Sequence, residues 1–448
     1  MAKTTAKTTG RNIDIKVDYV TRVEGHGNIV ANVKNGKIEK CEFHVVETPR
    51  LFEGMLRGRS IFEAQHITSR ICGICSCGHS LASIAAAEDA LGVTPTGQTI
   101  KLRKLMLDYE FLDSHVLHAF LLVAPDALGV PSFVPLVKTH NQTVRQILRL
   151  KKAVNDCCDI LLGRHIHPIT AIVGGWTKLP RSRDLDAQIK IMEGMTADLL
   201  PLLKLAKTLK LPDFTRETEY VALVSDDGEY PLLSGDIGSS DGKRVSRKEY
   251  RKSTNEFIDP RSSAKFTRWN RDSLLVGALA RFNLNYDKLH PRAKAYAKEI
   301  GLKPVCHNPF MNTMAQVVET IHCYYHALEI LKDLRRNGLD YSQEITVGVN
   351  EKGAVPVRAG DGVGSVEVPR GILHHNYVTD EKGMIKKANC IIPTNQNVNN
   401  IEYDFSKFLP EILHMKQDDI RLRLEMLVRA YDPCISCSAH YLDVTFVE

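Results

Sequence analysis

Two similar cysteine-rich stretches stand near opposite ends of the chain: RICGICSCGHS at residues 70–80 and DPCISCSAH at residues 432–440. The paired cysteines are Cys72, Cys75, Cys434 and Cys437. Four soft thiolates suit a transition metal such as nickel, iron or zinc. A structural zinc site usually draws both pairs from one compact module, whereas these pairs would join the two ends of a whole domain. Spacing alone leaves a catalytic metal and a structural zinc site as equal alternatives.

The sequence around each pair predicts how the sulfurs are presented. The Ala-rich run 76–91 predicts a helix, so Cys72 and Cys75, at spacing i, i+3, are expected to open it and to share one face. Free amides and the dipole at a helix start stabilise thiolates. An Asp-Pro dipeptide ahead of Cys434 is likewise a turn or helix-start signal. We therefore predict two rigid thiolate pairs, each at the start of a helix.

Length and composition are those of a globular protein with one extensive core. The chain has 448 residues, 43% of them hydrophobic, and a net charge of +6 that is spread along the sequence and gives no case for nucleic-acid binding. The start lacks the apolar core of a secretory signal, and the longest apolar stretch, 116–137, contains three prolines. We predict a cytoplasmic protein without a membrane span. The eleven cysteines show no regular disulfide spacing, which favours metal binding by the pairs.

Hydropathy patterns predict an α+β chain that is predominantly helical, with a long helix bundle and small antiparallel sheets near the N-terminus and in the C-terminal third. Alternation around an Asn-Gly turn predicts strands within 12–48, and short runs between glycine turns predict strands within 345–392. Apolar residues at helical spacing predict helices over much of the remainder. These helices cover 60–70, 76–91, 98–122, 141–162, 182–210, 273–283, 290–300, 311–335 and 416–430.

We expect a single interlocked catalytic domain over residues 12–440, because the two cysteine pairs would join its ends. Residues 1–11 form a short polar repeat and are expected to be a disordered tail. Residues 226–272 are polar and rich in glycine, serine and charge, which predicts a surface excursion.

The residues that flank the cysteines separate the two alternatives. RxCGxC near the start and DPCxxCxxH near the end are the paired signatures of the large, catalytic subunit of nickel–iron hydrogenases, and the chain resembles that family throughout. Segments 114–126 and 276–283 look most like its soluble, cofactor-coupled branch of methyl-viologen-reducing and bidirectional enzymes. The other motifs are TRVEGHGNI at 21–29, FEGMLRGR at 52–59, HPITAIVGG at 167–175, VPRGILHH at 368–375 and IIPTNQN at 391–397.

The resemblance implies the large-subunit fold, reversible oxidation of dihydrogen and a nickel–iron centre. Cys72 and Cys434 would be terminal nickel ligands. Cys75 and Cys437 would bridge nickel to an iron that carries carbon monoxide and cyanide. A nearby base must accept the proton of dihydrogen, and Cys434 is the thiolate expected to take it.

Three further roles follow from the resemblance rather than from spacing. Glu24 matches the glutamate that passes protons from the terminal cysteine toward solvent. Arg370 matches an arginine over the open metal site, with Asp432 as the partner that orients it. Thr394, after Pro393, would hydrogen-bond a cyanide. Outside this family such residues are more often a surface charge, a salt bridge or a turn cap.

A second, hard metal ion is also implied, usually magnesium. Its expected ligands are Glu53, His440 and the carbonyl oxygen of Cys390. In one departure from the family, Ser114 stands where many relatives carry an aspartate, so that role is not transferred. The family is typically cut after the C-terminal histidine, so residues 441–448 look like a tail removed by a maturation protease.

Electrons must leave the centre through iron–sulfur clusters, and the chain has no further cysteine set with cluster spacing. The resemblance therefore implies an iron–sulfur small subunit, joined in the soluble branch by further flavin, nicotinamide or heterodisulfide modules. Three alternatives remain: the quinone-site subunit of respiratory complex I, which shares the fold but lacks the cysteines, a zinc-clipped interaction protein, and a hydrogen sensor.

Overall fold

Helices form most of the regular structure of the chain, as predicted. The computed structural model describes residues 11–350 and 352–439. None of the helices within those two ranges is both long and apolar enough to cross a membrane. In chain order the helices are α1 (Phe52–Leu56), α2 (Ala64–Thr68), α3 (Ser76–Leu91), α4 (Gly97–Leu117), α5 (Ala124–Ala127), α6 (Leu136–Thr139), α7 (Asn141–Leu162), α8 (Ser182–Gly194), α9 (Thr196–Ala206), α10 (Tyr250–Thr254), α11 (Ala278–Asn285), α12 (Pro291–Glu299), α13 (Asn312–Asn337), α14 (Pro393–Ile412), α15 (Gln417–Ala430) and α16 (Ile435–Ser438).

The strands form small sheets around this helical body. They are β1 (Ile13–Val17), β2 (Gly27–Lys34), β3 (Lys37–Val45), β4 (Ala171–Ile172), β5 (Gly175–Trp176), β6 (Glu219–Val224), β7 (Asp236–Ser239), β8 (Arg244–Val245), β9 (Leu274–Leu275), β10 (Val349–Asn350), β11 (Gly353–Ala354), β12 (Gly360–Val368), β13 (Gly371–Thr379) and β14 (Ile385–Ile391). Antiparallel sheets β1-β2-β3 and β12-β13-β14 lie near the N-terminus and in the C-terminal third, which confirms the predicted fold class. The sheet β8-β7-β6-β9, whose β6 and β9 pair in parallel, was not predicted.

Part of the 226–272 segment is folded into the body. It supplies β7, β8 and α10, and Phe266 within it is only 2% exposed. Ala264 pairs with Ala439, two residues beyond the second cysteine pair, in an isolated antiparallel bridge. The segment therefore reaches the candidate metal centre as well as the surface.

Helix α14 is the largest element that the sequence patterns did not predict. It begins with Pro393 at its first position, where the missing N–H costs nothing. Its first turns contain several asparagines, which have low helix propensity. In the structure, two of these side chains donate hydrogen bonds to backbone carbonyls of distant segments. Asn395 donates to the carbonyl of Ser438 and Asn397 donates to that of Val276. Tertiary contacts outweigh low helix propensity here.

A close helix–strand contact fixes α3 against the rest of the core. Glycines alternate along β12 at 360, 362 and 364, and a Cβ on any of them would come within 2.2 Å of a backbone oxygen of α3. Those oxygens belong to Ala82, Ala86 and Ala90, spaced four apart on one face of the helix. This contact sets the position of the N-terminal end of α3, where the first cysteine pair lies, relative to the strand that leads to Arg370.

Candidate metal centre

The first cysteine pair lies in the turn that precedes α3. Cys72 has extended backbone angles, and Cys75 occupies the N-cap position, so the helix begins only at Ser76. The expectation that both cysteines share a helix face is therefore wrong. Cys72 Sγ instead accepts hydrogen bonds from the backbone N–H groups of Ile74 and Cys75, both at 3.3 Å. These bonds close the turn and leave both sulfurs near the helix start.

The second cysteine pair lies at the start of, and within, the four-residue helix α16. Cys434 is its N-cap residue, and Cys437 lies within it. Strand-like pairing joins this turn to the N-terminal region, because Cys434 forms a parallel bridge with Glu24 and the N–H of Ile435 donates to the Glu24 carbonyl at 2.9 Å. Gly25 permits the approach, since a Cβ there would lie 2.6 Å from the amide nitrogen of Ser436. The two chain ends are thus held together by backbone contacts.

The four sulfurs converge in the protein interior. One ligand atom from each cysteine lies within 4.8 Å of all the others, and each cysteine is at most 4% exposed. The sulfurs of Cys72 and Cys434 are 3.4 Å apart, and those of Cys434 and Cys437 are in contact. Among the described residues, this is the one group of three or more metal-ligating side chains at such spacing.

The electrostatic environment favours one negative charge on the first pair. The hydrogen bond between the Cys72 and Cys75 side chains lowers the pKa of the Cys72 thiol and raises the pKa of the Cys75 thiol. Burial opposes ionisation of both thiols, and the charge of Arg370 favours it. Thiolate, rather than thiol, is the form that binds a metal.

Glu24 is a half-buried residue whose side chain contacts the cysteine cluster. Its Oε2 atom lies 3.1 Å from Cys434 Sγ and accepts the N–H of Ser436 at 3.2 Å. Its Oε1 atom accepts a hydrogen bond from the Ser436 hydroxyl. The carboxylate is therefore oriented by three contacts, one of which is with a buried sulfur.

Arg370 stands in the turn between β12 and β13 and is 3% exposed. One terminal nitrogen donates to Asp432 Oδ1 at 2.8 Å, and the other lies 3.5 Å from the Ser114 hydroxyl. Its Nε is buried without a hydrogen-bond partner among the described residues. The guanidinium therefore keeps donor capacity for a ligand at the centre.

Asp432 is held from two sides. Its Oδ2 atom accepts from the Gln316 side chain at 2.9 Å, while its Oδ1 atom accepts from Arg370. Its backbone has a positive φ of 51°, a conformation that aspartate tolerates better than most residues. Gln316 in turn contacts His118 at 2.5 Å, in a π-helical segment that follows α4. The Gln316 side chain therefore orients the Asp432 carboxylate for its hydrogen bond with Arg370.

Thr394 supports the second cysteine pair. Its Oγ1 atom accepts the backbone N–H of Cys434 at 2.9 Å, and the residue is 1% exposed. Pro393, immediately before it, is the first residue of α14, a position where proline is favoured. The sequence motifs place both residues at the centre, and the structure brings Thr394 into contact with Cys434.

Arg281 braces the turn that carries Arg370, a role that no sequence pattern indicated. Its guanidinium donates to both oxygens of Glu319, at 2.6 and 2.7 Å, and to Glu367 at 2.8 Å. It also donates to the carbonyls of Val368 and Pro369, both at 3.0 Å. These are the two residues directly before Arg370. A buried guanidinium with its charge neutralised by two carboxylates can hold backbone in this way.

The residues expected to bind a hard metal ion are described in part. Glu53 Oε1 accepts the backbone N–H of Cys390 at 2.7 Å, which brings this predicted pair together. His440 lies outside the described residues. Glu256, which the sequence did not single out, approaches the same place through Asn389 at 3.5 Å. Burial raises its pKa, and the nearby Glu53 adds to that rise.

Glu110 is a buried carboxylate that the sequence also did not single out. It accepts the backbone N–H of Cys77 at 2.7 Å and that of Gly78 at 3.1 Å, in the first turn of α3. Burial raises its pKa from 4.5 to about 8. The folded chain therefore keeps this proton over a pH range in which the unfolded chain has released it.

The Glu110→Gln variant should test this linkage. Because the native carboxyl holds its proton up to about pH 8, the unfolding free energy should fall as pH rises from 4.5 toward 8, by about 1.4 kcal/mol per pH unit. The amide cannot titrate, so the thermal midpoint of the variant should fall less steeply with pH than that of the wild type. Parallel midpoint curves for the two chains would contradict the raised pKa.

The fold brings four buried sulfurs into an arrangement that could hold a soft transition metal. A family profile described as nickel-dependent hydrogenase matches residues 50–146 and 235–440, and one described as HoxL-like matches residues 14–48. The chain belongs to the nickel-dependent hydrogenase family, and its enzyme class is that of a nickel–iron hydrogenase. This finding confirms the family that the sequence motifs predicted.

Individual relatives match along almost the whole chain. The alpha chain of sulfhydrogenase 1 from Pyrococcus furiosus is 32% identical over 442 residues, which are 96% of this chain and 98% of that protein. A subunit of the F420-non-reducing hydrogenase from Methanothermobacter marburgensis is 29% identical and covers 96% and 95%. A solved NAD+-reducing NiFe hydrogenase in the H2-reduced state superposes with a TM-score of 0.84 at 26% identity, over 96% of this chain and 100% of the other. A NiFeSe hydrogenase of Dm. baculatum, at 21% identity and a TM-score of 0.72, shares the fold over 96% and 100%.

The residues present fit the nickel–iron centre that the family implies. All four donors are sulfurs, the ligand type that soft metals select, and they enclose a space small enough for direct coordination. The unpartnered Nε of Arg370 supplies a buried donor for a ligand beside them.

Proposed function

We propose that this chain carries out the reversible oxidation of dihydrogen as the catalytic component of a nickel–iron hydrogenase. The observation that carries the proposal is the convergence of four buried sulfurs, from opposite chain ends, within 4.8 Å. When bound, the centre would supply an open coordination position and the change of oxidation state that the reaction needs. Cys72 and Cys434 are proposed as terminal nickel ligands, and Cys75 and Cys437 as the bridging pair.

Proton transfer is assigned to Cys434 and Glu24. The sulfur of Cys434 is the proposed proton acceptor, and Glu24 Oε2 lies at hydrogen-bonding distance from it. Ser436 holds the carboxylate in place through its N–H and hydroxyl. Because Glu24 is half-buried whereas the sulfur is buried, the carboxylate offers a step toward solvent.

Four residues are proposed to set the environment of the iron ligands, which would be carbon monoxide and cyanide. They are Arg370, Asp432, Pro393 and Thr394. Cyanide is an anionic acceptor, so the fixed positive charge and unpartnered Nε of Arg370 suit it. Asp432 holds the guanidinium, and Thr394 holds the backbone of Cys434 while presenting a hydroxyl beside it.

A magnesium site is proposed at Glu53, the Cys390 carbonyl and His440. Carboxylate and carbonyl oxygens suit this hard cation, and Glu53 already contacts Cys390. Glu256, whose half-buried carboxylate pairs with Lys265 at 3.4 Å and shares the Asn389 amide with Glu53, would help to balance the charge of the ion. The interlocked domain over 12–440 and the maturation tail at 441–448 belong to the same proposal, together with a protease that removes the tail.

An iron–sulfur small subunit is the proposed partner. The relatives from Pyrococcus furiosus and Methanothermobacter marburgensis are each named as one subunit of a hydrogenase, which supports a multi-subunit assembly. Among the described residues the four cysteines of the proposed nickel–iron centre are the one group of three or more metal-ligating side chains within 4.8 Å, so the iron–sulfur clusters that carry electrons away would come from a partner. Flavin, nicotinamide or heterodisulfide modules are proposed as further partners in a cytoplasmic assembly.

Metal analysis of the purified enzyme, with an infrared spectrum, tests this function. We expect about one nickel per chain, as four thiolates suit one such centre, together with iron and absorption in the carbonyl and cyanide stretching regions. Zinc alone, or a spectrum without those bands, would contradict the proposal. A turnover rate typical of an enzyme would separate it from a hydrogen sensor.

A further inference from the structure

A cavity of about 570 Å³ opens between α4, α13 and the loop that precedes α12, away from the cysteines. This volume is in the range of cavities that bind small molecules. Its deepest residues are Tyr230, Leu289, His322 and Ile330, each at most 8% exposed. The floor is therefore apolar except for one imidazole, because the Tyr230 hydroxyl donates to Glu319 in the core.

The imidazole of His322 presents an N–H group to this cavity. Its Nδ1 atom accepts the backbone N–H of His290 at 3.0 Å, so the proton of the neutral ring is on Nε2. Burial lowers the pKa of His322 to about 3, which keeps the ring neutral at physiological pH. His322 lines the cavity, and Nε2, on the far side of the ring from the bond to His290, is open to it. An acceptor group on a ligand could take the place of water at this N–H.

A metal ion does not suit this arrangement. His290, a second imidazole at the cavity, also accepts a backbone N–H at Nδ1, from Arg292 at 3.1 Å, and directs Nε2 toward Glu329 at 3.3 Å. Two rings that carry their protons on Nε2 offer hydrogen-bond donors rather than lone pairs. The third imidazole, His326, contacts Asp108 through Nδ1 at 2.8 Å, and against the effect of burial the charge of Asp108 raises its pKa, which favours the protonated ring. The group in the cavity that His322 recognises is therefore an acceptor.

Charged groups lie higher in the cavity than this donor. Lys104, whose side chain is 24% exposed, pairs with Glu229, which is 55% exposed. Glu329, the partner of His290, is 64% exposed. Glu229 and Glu329 thus stand at the solvent edge, while Lys104 is nearer the floor. Asp333, 27% exposed, is paired with Lys101 at 2.5 Å. An anion in the cavity could draw the ammonium away from its exposed partner at little cost, because exposed ion pairs are weak.

We propose that this cavity binds a small organic acid. Its carboxylate would accept the Nε2–H of His322 and pair with Lys104, and its apolar body would cover Leu289 and Ile330. The ring of His322 also packs on Tyr230, at 4.7 Å between centroids. Because Tyr230 donates to Glu319, the occupant would lie beside the buried network that holds Arg281.

Calorimetric titration of the complete purified enzyme with hexanoate tests the site. We expect one saturable site per chain, with 1-hexanol binding at least about tenfold more weakly because it lacks the charge. Lys104→Met and His322→Phe should each weaken hexanoate binding by about tenfold or more. Lys151→Met is the matched control, since Lys151 is 20% exposed and pairs with Asp113 away from the cavity.

Several outcomes would overturn the proposal. They are the absence of saturable hexanoate binding, equal binding of hexanol, and an equal loss of affinity in Lys151→Met. Inorganic phosphate that binds as tightly as hexanoate would show that the apolar floor is not used. Zinc that competes with hexanoate would show a metal site instead. None of these results depends on hydrogenase activity.

Discussion

The Cys434→Ser variant is expected to lose hydrogen-dependent dye reduction down to background. Serine keeps the shape of the residue but replaces a soft, easily ionised thiol with a hydroxyl that stays protonated at neutral pH and binds nickel poorly. The lost sulfur lies 3.4 Å from Cys72 Sγ and 3.1 Å from Glu24 Oε2, so the change removes both a metal donor and the proposed proton acceptor. Activity is measured with hydrogen and a viologen dye, and nickel and iron are measured on the same sample.

A second buried cysteine provides the control for this substitution. Cys323 in α13 is 0% exposed, compared with 1% for Cys434, and lies outside the cluster of four sulfurs. Cys323→Ser introduces the same buried hydroxyl and should retain metal and most activity. Retained turnover in Cys434→Ser would remove this thiolate from the mechanism. An equal loss of activity in both variants would show that a buried Cys→Ser change impairs folding, whatever its place in the chain.

The convergence of the cysteines could be predicted because their motifs are long and occur in order. The pattern around Cys72 and Cys75, together with that around Cys434 and Cys437, is specific enough to identify the family from sequence alone. Fold class followed from hydrophobic periodicity, which reports local backbone geometry directly. Both predictions depend on information contained within short segments.

Contacts between distant segments could not be predicted in this way. The first cysteine pair precedes α3 because two backbone N–H groups bond to Cys72 Sγ, and no periodicity reports such a bond. Arg281 and Glu319 look like ordinary helix-surface charges in the sequence, yet each is 1% exposed. Their burial depends on hydrogen bonds to groups brought together only by the fold.

The sequence also contains a signal for the contact between α3 and β12. Glycines at 360, 362 and 364 alternate along a strand, which weakens it unless another backbone comes close. Alanines at 82, 86 and 90 repeat at helical spacing on one face of α3. Together these two patterns indicate a helix packed directly on a strand. Pairing them would have placed Cys75 near the turn that carries Arg370.

The Glu24→Gln variant should separate proton transfer from assembly of the centre. Glutamine has nearly the same shape, and its carbonyl oxygen can still accept the N–H of Ser436, but an amide cannot take up and release a proton at neutral pH. Removing a positioned acid–base group typically lowers a rate by about 100- to 10,000-fold. We expect a loss of that size in hydrogen-dependent dye reduction, with nickel, iron and the infrared bands unchanged.

Glu47→Gln is the matched control for this variant, because both changes remove one carboxylate charge from the same region. Glu47 is 24% exposed and contacts His26, whose side chain is 61% exposed, rather than a cysteine. Its removal should leave the rate close to that of the wild type. If Glu24→Gln turned over normally, protons would have to leave the centre by another route. A loss of nickel in Glu24→Gln would instead mean that the carboxylate holds the turn around Cys434, since Glu24 and the second cysteine pair share backbone as well as side-chain contacts.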